Sequence, residues 1–497
     1  MGGTATENLS GPPVLLDLWD RWNGAIACAF TDRTWSSASL RAAEAAIAGT
    51  LLRLGLGPHD AVGLMLANTV AFPAALLALL RIGCNPLLIH AGAQRASVER
   101  VVREYGVRWL LHDFIDGVST LEGGGQEVID RVDLGGVSLS VVATGVTAGG
   151  VAVPGAGVVL HPTSGTYGSA RYCMRNQTAA VAEARNYTET IGLYRAAKVT
   201  VTTPLNHAFA FGFGLASAIL TDSTLCLDIA FNPRRLLRTE KAAPSDILAI
   251  VPPMARTLAD LARDDPGRMM ARSVFYAGAP IDAGHAREFE ATFGVPLFAI
   301  LGTTETGAIS SSFGGGDRPA GVGRPLRNVE VEIRNTEPYR RLGRGIGELF
   351  VRSPSMMQGY LPSNERTDAA AFFRTGDLGR IDAAGAIILT GRIKDIINLG
   401  GMKVDPAEVE AVLLAQAGVT DAAVYPGLRD DGQEFVQAAV AGTVDGAELR
   451  RSCAAELDAH KVPSTIHIVD RIPRTPSGKC LKVECPGYPM ALAAVPV

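Results

Sequence analysis

Short apolar runs alternate with longer amphipathic segments over the first two-thirds of the chain. The short runs are rich in Val, Ile and Leu, which is typical of buried strands, whereas the longer segments place apolar residues at helical spacing. The clearest strands are predicted at Ala61–Leu66, Val107–Leu111, Val199–Thr203, Ile247–Val251 and Val274–Tyr276. The clearest helices are predicted at Ser39–Arg53 and Ser97–Tyr105. Alternation of this kind predicts α/β layers with largely parallel sheets.

The pattern changes from about Gly343, where short strands begin to follow turns. The later strand-like runs are Ile346–Val351, Leu378–Ile381, Ala386–Thr390, Ala422–Tyr425, Val436–Val440 and Ile466–Val469. A helix is predicted to begin at Pro406, because Asp405 can serve as its N-cap and proline suits the first helical position. No low-complexity linker separates the two regions, so the boundary near Lys394 is expected to be a short hinge. We expect one domain over residues 1–393 and a second over residues 394–497.

Composition narrows the class of protein. The 497 residues carry a net charge of −4, which argues against nucleic acid or an anionic membrane as the main partner. Seven scattered cysteines without a C-x-x-C pair favour free thiols in a reducing compartment over a disulfide framework or a zinc site. The longest apolar stretch, Ala208–Leu220, is shorter than the about 20 residues that a bilayer crossing needs. We therefore expect a cytoplasmic protein without a membrane segment.

A glycine-rich loop follows the apolar run Val158–His161. Glycines let backbone N–H groups turn towards an anion, and hydroxyl side chains add donors to phosphate oxygens. The loop residues expected to contact phosphate are Thr163, Ser164, Gly165, Thr166 and Arg171. The GK[ST] ending of a P-loop is absent, and in isolation such a segment is more often an ordinary turn.

Five further motifs follow in order along the chain. They are Gly278-Ala279-Pro280, Leu301-Gly302-Thr303-Thr304-Glu305, Phe373-Arg374-Thr375-Gly376-Asp377, Gly391-Arg392-Ile393-Lys394-Asp395, and Pro473-Arg474-Thr475-Pro476-Ser477-Gly478-Lys479. Together with the loop they resemble the signature motifs of the adenylate-forming superfamily, which includes acyl-CoA synthetases, luciferases and the adenylation domains of peptide synthetases. The resemblance covers about Trp35 to Lys482 and is closest to acyl- or aryl-CoA ligases. It implies an α/β fold whose large N-terminal domain has layered α/β sheets and a small β-barrel-like subdomain. A small, mobile α+β C-terminal domain follows.

The resemblance implies ATP and Mg²⁺ as cofactors. It places beside the nucleotide the residues Gly278, Ala279, Pro280, Gly302 and Thr303. Thr304 would contact the α-phosphate and Glu305 would hold Mg²⁺, in keeping with the preference of this cation for oxygen ligands. The sequence departs from the family pattern at Tyr167, Ala170 and Leu301, so the contacts to pyrophosphate and adenine are expected to differ there.

The later motifs carry the remaining roles implied by the resemblance. Asp377 would accept both ribose hydroxyls, for which an ionised carboxylate is well suited, and Arg392 would reach the ribose. Lys394 would be the hinge about which the small domain turns. Lys479 would enter the active site for adenylation, where a cation can screen a carboxylate from the α-phosphate.

The acid site is expected around His207. The segment Pro204–His207 resembles the P-x-x-H segment of acyl- and aryl-CoA ligases, in which the histidine is an aromatic gate, although a core histidine is an alternative. Phe209, Phe211 and Phe213 favour an apolar wall for an aryl or acyl chain, and core packing would explain them equally well. The aspartate that amino-acid-activating domains carry in an F-D-x-S segment is absent, so an α-amino acid is disfavoured.

These features predict an AMP-forming acid ligase. It would activate a small-molecule carboxylic acid, aryl or apolar, as its acyl-adenylate and transfer the acyl group to a thiol, with CoA as the favoured acceptor. The loop Asn398–Met402 resembles the one that lines the thiol channel of CoA ligases. Transfer to the phosphopantetheine of a carrier protein or to an amine remains an alternative, and an inactive nucleotide-binding relative is a more distant one.

Overall fold

A computed structural model gives the fold of the protein. It describes residues 13–29, 32–93, 95–114, 127–134, 137–146, 151–163, 171–195, 197–263, 271–281, 283–314, 321–335, 345–363, 365–368, 370–399, 402–429, 433–475 and 478–489. No described helix combines the length and the apolarity that a bilayer crossing requires.

Helices and strands alternate through most of the chain. The α-helices are α1 (Leu15–Arg21), α2 (Ser37–Arg53), α3 (Ala71–Arg81), α4 (Arg95–Glu104), α5 (Gln177–Ile191), α6 (Ser217–Leu220), α7 (Pro233–Ala242), α8 (Pro252–Ala262), α9 (Ala283–Phe293), α10 (Pro406–Leu414) and α11 (Gly446–Glu456). The strands up to the change of pattern are β1 (Ala25–Cys28), β2 (Arg33–Ser36), β3 (Ala61–Met65), β4 (Asn85–Leu88), β5 (Trp109–Phe114), β6 (Glu127–Asp133), β7 (Ser138–Ala143), β8 (Val159–Pro162), β9 (Tyr172–Arg175), β10 (Lys198–Val201), β11 (Thr224–Leu227), β12 (Ile247–Ile250), β13 (Ser273–Tyr276), β14 (Leu297–Thr303), β15 (Gly307–Ser311), β16 (Arg324–Pro325) and β17 (Glu330–Arg334).

The remaining strands are β18 (Gly347–Arg352), β19 (Gly359–Leu361), β20 (Phe373–Ile381), β21 (Ile387–Arg392), β22 (Ile397–Leu399), β23 (Met402–Val404), β24 (Val419–Leu428), β25 (Glu434–Gly442) and β26 (Thr465–Val469). A π-helix spans Ala210–Ala216, and 3-10 helices span Ile393–Asp395, Ala459–Lys461 and Lys482–Glu484. The mixed α/β fold predicted from the apolar pattern is confirmed.

Side-chain caps fix several helix starts, one of which the sequence predicts. The Asn176 side chain accepts the Ala179 N–H at the start of α5. The Asp405 side chain accepts the Ala407 N–H, so α10 begins at Pro406 as expected. Such caps satisfy N–H groups that have no partner within the first turn of a helix.

The described residues form two compact units. The first lies within Met1–Pro162, Tyr172–Ala230 and Pro354–Arg366. Its eight-stranded sheet has the order β19-β9-β8-β4-β3-β5-β7-β6, with parallel pairing of β4 to β3 and β3 to β5 at its centre. A second group of strands has the order β10-β11-β1-β2. Helix α3 is almost wholly buried, as its uniformly apolar sequence requires.

The second unit lies within Thr163–Arg171, Phe231–Ser353 and Thr367–Val497. Strands β12, β13 and β14 pair in parallel, and α8 and α9 pack on them around buried residues such as Leu258 and Phe289. The C-terminal part has the antiparallel pair β24 and β25, the parallel strand β26, and a core with α10 and α11.

Strands β18, β20 and β21, which follow Gly343, form an open antiparallel sheet with the earlier strand β17. The order β17-β18-β20-β21 leaves two edge strands, so the described residues show a four-stranded sheet in place of the expected barrel-like closure. Strand β20 begins five residues earlier than predicted because Phe373 pairs with Val351 of β18. Lys394 lies in the 3-10 helix Ile393–Asp395, and the domain boundary there stays a prediction.

Candidate active site

The glycine-rich loop is closed at its base by two hydrogen bonds. The backbone N–H and the side-chain hydroxyl of Thr163 both donate to the carbonyl oxygen of Arg171, at 2.9 and 3.0 Å. The hydroxyl of Thr163 is therefore engaged within the loop. Ser164, Gly165 and Thr166 lie outside the described residues, and their contacts with phosphate stay predictions.

The loop that precedes Lys479 is a tight turn held by Thr475. The Thr475 N–H donates to the Lys479 carbonyl oxygen at 2.8 Å, and the Gly478 N–H donates to the Thr475 carbonyl oxygen at 2.8 Å. The Lys479 N–H donates to the Thr475 hydroxyl at 3.0 Å. These bonds fix the direction in which Lys479 leaves the turn.

The same turn lies against the G-A-P segment. Gly478 has a φ of +87°, and a Cβ added there would lie 2.8 Å from Cδ of Pro253 and 3.9 Å from Cβ of Ala279. Gly278, directly before Ala279, also has a positive φ of +92°, a conformation that glycine adopts at little cost. Two motifs that are 200 residues apart in the sequence thus lie close together within one unit.

Glu305 lies in the hairpin turn between β14 and β15. The Thr306 N–H donates to the Thr303 hydroxyl at 3.1 Å, which tightens the turn. A Cβ on Gly302 would lie 2.9 Å from the Gly307 carbonyl oxygen, so this close approach requires glycine. Thr304 and Glu305 are partly buried in the turn. The turn therefore holds a hydroxyl and a carboxylate side by side.

Asp377 and Arg392 form an ion pair across β20 and β21. They are direct partners in the ladder, and Nε of Arg392 lies 2.7 Å from Oδ1 of Asp377. Asp377 is 3% exposed, and its Oδ2 has no hydrogen-bond partner among the described residues. Burial raises the pKa of Asp377, and the charge and hydrogen bond of Arg392 oppose that rise. The sequence predicts both residues at the ribose but does not reveal that they bind each other.

The first unit contains the predicted acid-site residue His207. The His207 N–H donates to the Pro204 carbonyl oxygen at 3.0 Å, and the ring lies 6.1 Å from that of His90 between centroids. His207 keeps solvent-accessible surface, yet enough protein surrounds the ring that desolvation, together with nearby His90, lowers its pKa to about 4. His207 is therefore neutral at pH 7.

His90 is a second imidazole that the sequence analysis did not single out. Its Nδ1 lies 3.0 Å from the Gly92 backbone nitrogen, which donates to it. A neutral imidazole that accepts at Nδ1 carries its proton on Nε2. Burial lowers the pKa of His90, which favours this neutral form.

The phenylalanines after His207 divide between two environments. Phe211 and Phe213 are 1% and 0% exposed, and Phe213 packs against the rings of Tyr187 and Tyr194. Only Phe209 is partly buried, with its ring 5.0 Å from that of Phe213. The core-packing alternative therefore describes Phe211 and Phe213.

A buried ion pair between Arg175 and Glu183 was not predicted from the sequence. Nη1 of Arg175 lies 2.8 Å from Oε2 of Glu183, and the side chains are 2% and 1% exposed. The sequence gives only a weak signal for this pair: Arg175 follows the run Tyr172-Cys173-Met174 of a strand, and a charged side chain is costly to bury unless it is paired.

Comparison with known proteins defines the family. The model of the AMP-binding enzyme family matches residues 17–361, and that of the AMP-binding enzyme C-terminal domain matches residues 408–479. The chain belongs to the AMP-binding enzyme family. The recognition of an adenylate-forming enzyme from its motifs is thereby confirmed.

Among the relatives, the chain is 30% identical to sulfoacetate–CoA ligase of Cupriavidus necator over 345 residues, which is 67% of each protein. It is 28% identical to 2-succinylbenzoate–CoA ligase of Bacillus licheniformis over 88% of this chain and 91% of that protein. Two plant relatives are matched over 60% and 63% of their own length. The structure of ATP-bound MatB from Rhodopseudomonas palustris superposes with a TM-score of 0.77 at 23% identity, covering 94% of this chain and 97% of that one.

Proposed function

We propose that the protein is an ATP- and Mg²⁺-dependent acid–CoA ligase that activates an aryl or apolar acyl carboxylic acid as its acyl-adenylate. The observation that carries the proposal is the proximity of the Lys479 turn to the G-A-P segment, seen at Gly478 and Ala279. This proximity supports a position of Lys479 near the motif expected beside adenine. A cation there is suited to screen the acid carboxylate from the α-phosphate.

The residues for the nucleotide fit this role. Oδ1 of Asp377 is taken by Arg392, which leaves the buried Oδ2 to accept a ribose hydroxyl. Thr304 would contact the α-phosphate, and Gly302 and Thr303 would shape the turn beneath it. The hairpin offers Glu305 as a hard oxygen ligand for Mg²⁺, which supplies charge neutralisation of the phosphates when bound.

The proposed reaction has two steps. A carboxylate oxygen of the acid attacks the α-phosphorus of ATP, an O–P bond forms, and pyrophosphate leaves. The sulfur of CoA, whose thiol proton is released to solvent, then attacks the acyl carbon, a thioester forms, and AMP leaves with the electron pair of the broken bond. Lys479 acts in the first step by offsetting the repulsion between two anions. The neutral ring of His207 lines the acid site.

The acceptor and the domain motion are also proposals. The relatives from Cupriavidus necator and Bacillus licheniformis are both named as CoA ligases, which supports CoA over a carrier protein or an amine as the acceptor. The family has a separate C-terminal domain model, which supports a small domain over residues 394–497 that turns about Lys394 between the two steps.

The test is acid-dependent exchange of labelled pyrophosphate into ATP over a panel of aryl and acyl acids. Product mass spectrometry with CoA and simple amines offered in parallel then identifies the acceptor. Exchange followed by an acyl-CoA product supports the proposal. Exchange followed by an amide overturns the CoA assignment alone, and no exchange with any acid overturns the activation step.

A further inference from the structure

The side chains of His161 and Arg175 lie on one face of β8 and β9, and with Glu183 of α5 they form what we call the polar row. The register pairs His161 with Cys173 and Val159 with Arg175. Directly opposed residues of an antiparallel pair share a face, and so do alternate residues along a strand. His161 and Arg175 therefore project from the same face as diagonal neighbours.

Helix α5 and the π-helix cover that face. Glu183 of α5 pairs with Arg175, as described above, and a Cβ added to Gly212 of the π-helix would lie 2.3 Å from Cδ of Glu183. The ring of Phe211 meets that of His161 edge to face, with 4.8 Å between centroids. The segment that begins at His207 is thus packed directly on the polar row. π-Helical turns are rare and occur often at functional sites.

His161 is the member of this row in which both side-chain polar atoms are unsatisfied. It is 1% exposed, and neither Nδ1 nor Nε2 has a hydrogen-bond partner among the described residues. Nε of Arg175 likewise has no acceptor within the described part of the chain. A buried imidazole without partners is costly, whereas a phenylalanine would pack against Phe211 without that cost. The polar atoms at this position therefore point to a ligand group that completes them.

The charges of His161, Arg175 and Glu183 restrict which chemical group could bind there. Burial, with smaller contributions from Arg175 and His207, holds the pKa of His161 well below its usual range. A neutral imidazole has one donor and one acceptor, and the charges of Arg175 and Glu183 cancel. A second carboxylate would bring an uncompensated charge close to Glu183. A hydroxyl, which both donates and accepts, matches the imidazole.

We propose that His161 recognises a neutral hydrogen-bonding group, such as a hydroxyl, that the acid carries at the end remote from its carboxylate. This inference rests on the proposed function, because it places the acid beside His207. His161 is then a specificity-determining residue, and the substrate class is an aryl or apolar acid with a remote hydroxyl.

The test compares matched acids in the pyrophosphate exchange. The pairs are benzoate with 3- and 4-hydroxybenzoate, cinnamate with 4-hydroxycinnamate, and octanoate with 8-hydroxyoctanoate, with 4-carboxybenzoate as the charged comparison. We expect at least one hydroxylated acid to exceed its parent by about tenfold or more in kcat/KM, since a site built for a hydroxyl discriminates against its loss. In His161→Phe that ratio should fall towards one.

The matched control is His112→Phe, which replaces another buried histidine of the same unit, on β5, and should leave the ratio unchanged. Equal loss of both acids in His161→Phe, or an unchanged ratio, would overturn the inference. Exchange without any hydroxyl preference in the wild type would also overturn it and leave the proposed function standing. Absence of exchange with every acid would instead overturn the proposed function.

Thermal unfolding of the acid-free protein gives an independent readout. If His161 awaits a ligand, His161→Phe removes unsatisfied buried polar atoms and should raise Tm. A lower Tm in His161→Phe would show that the imidazole already serves the fold, and the inference would fail.

Discussion

The carboxylate of Asp377 and the guanidinium of Arg392 bind each other across β20 and β21, with 2.7 Å between Oδ1 and Nε. The arrangement orients the carboxylate so that one oxygen is held and the other, Oδ2, stays without a partner among the described residues. A held carboxylate pays less conformational entropy when it binds a ribose hydroxyl than a freely rotating one does.

The first prediction concerns Asp377→Asn. The change removes a charge-assisted acceptor and should lower kcat/KM for ATP by about 10- to 100-fold, because hydrogen bonds to charged groups contribute about 1.5–3 kcal/mol. Steady-state kinetics at varied ATP measure it. Glu330→Gln is the control, since Glu330 pairs with Arg352 across β17 and β18 of the same sheet but is exposed. A similar loss in both variants would contradict the assignment.

The second prediction concerns Lys479→Ala. Loss of the cation should reduce the adenylation kcat/KM by about 100-fold or more, the range for removal of one group that stabilises transition-state charge. Thioester formation from a supplied acyl-adenylate should be retained, because that step contains no phosphate attack by the acid. Lys461→Ala is the control, because Lys461 forms ion pairs with Glu408 and Asp458 away from the motif. Equal loss in both half-reactions would count against a role confined to adenylation.

The third prediction separates the effect on adenylation of displacing the Lys479 turn from the effect of backbone strain. Gly478→Ala places a Cβ 2.8 Å from Pro253 at a φ of +87°, so the turn should move and adenylation should fall by about tenfold or more. Gly385→Ala imposes the same strain at a φ of +80°, with no atom of the described residues within 4 Å of the new Cβ. Both variants should lose stability in urea unfolding, but only Gly478→Ala should lose adenylation rate. Equal rate losses would refute docking as the cause.

The nucleotide motifs can be singled out from the sequence because each is contiguous, and their contacts with the nucleotide stay predictions. A hairpin such as Gly302–Glu305 needs only local geometry, so its residues come together wherever the hairpin forms. The capped start of α10 at Asp405 is local in the same sense. The proximity of Gly478 to Ala279 is not local, and only the resemblance to a family indicated it.

Features that depend on register or on close packing were missed. The direct pairing of Asp377 with Arg392 follows from the alignment of β20 with β21, which a bulge between Leu378 and Gly379 shifts by one residue. The π-helix at Ala210–Ala216 packs closely on Glu183 at Gly212, and the apolar pattern treats these two segments separately. For the same reason the sequence alone does not decide whether Phe211 and Phe213 line a pocket or pack in the core.

The fourth prediction is a pH dependence of stability. Burial raises the pKa of Asp405 to about 6, although its carboxylate caps α10. A carboxyl whose pKa is higher in the folded state destabilises the fold when ionised. That cost is present above about pH 6 and disappears as pH falls towards the unfolded value near 3.8. Asp405→Asn keeps the cap without the charge, so its stability relative to the wild type should decrease as pH falls from 7 to 4. Urea unfolding at several pH values measures this, and a constant difference would contradict it.

The final prediction concerns the sign of the stability change when glycine is replaced by alanine in a helix. Replacing glycine by alanine within a helix ordinarily stabilises a protein by about 0.5–1 kcal/mol, because glycine loses more backbone entropy on folding. Gly49→Ala in α2 should show this gain, since among the described residues outside the helix backbone its Cβ would approach only the flexible end of Arg53, at 3.7 Å. Gly212→Ala should instead cost about 1–3 kcal/mol, because its Cβ would overlap the buried carboxyl of Glu183. Denaturant unfolding of both variants measures the two signs. A stabilised Gly212→Ala protein would show that the π-helix does not pack against the Glu183 carboxyl.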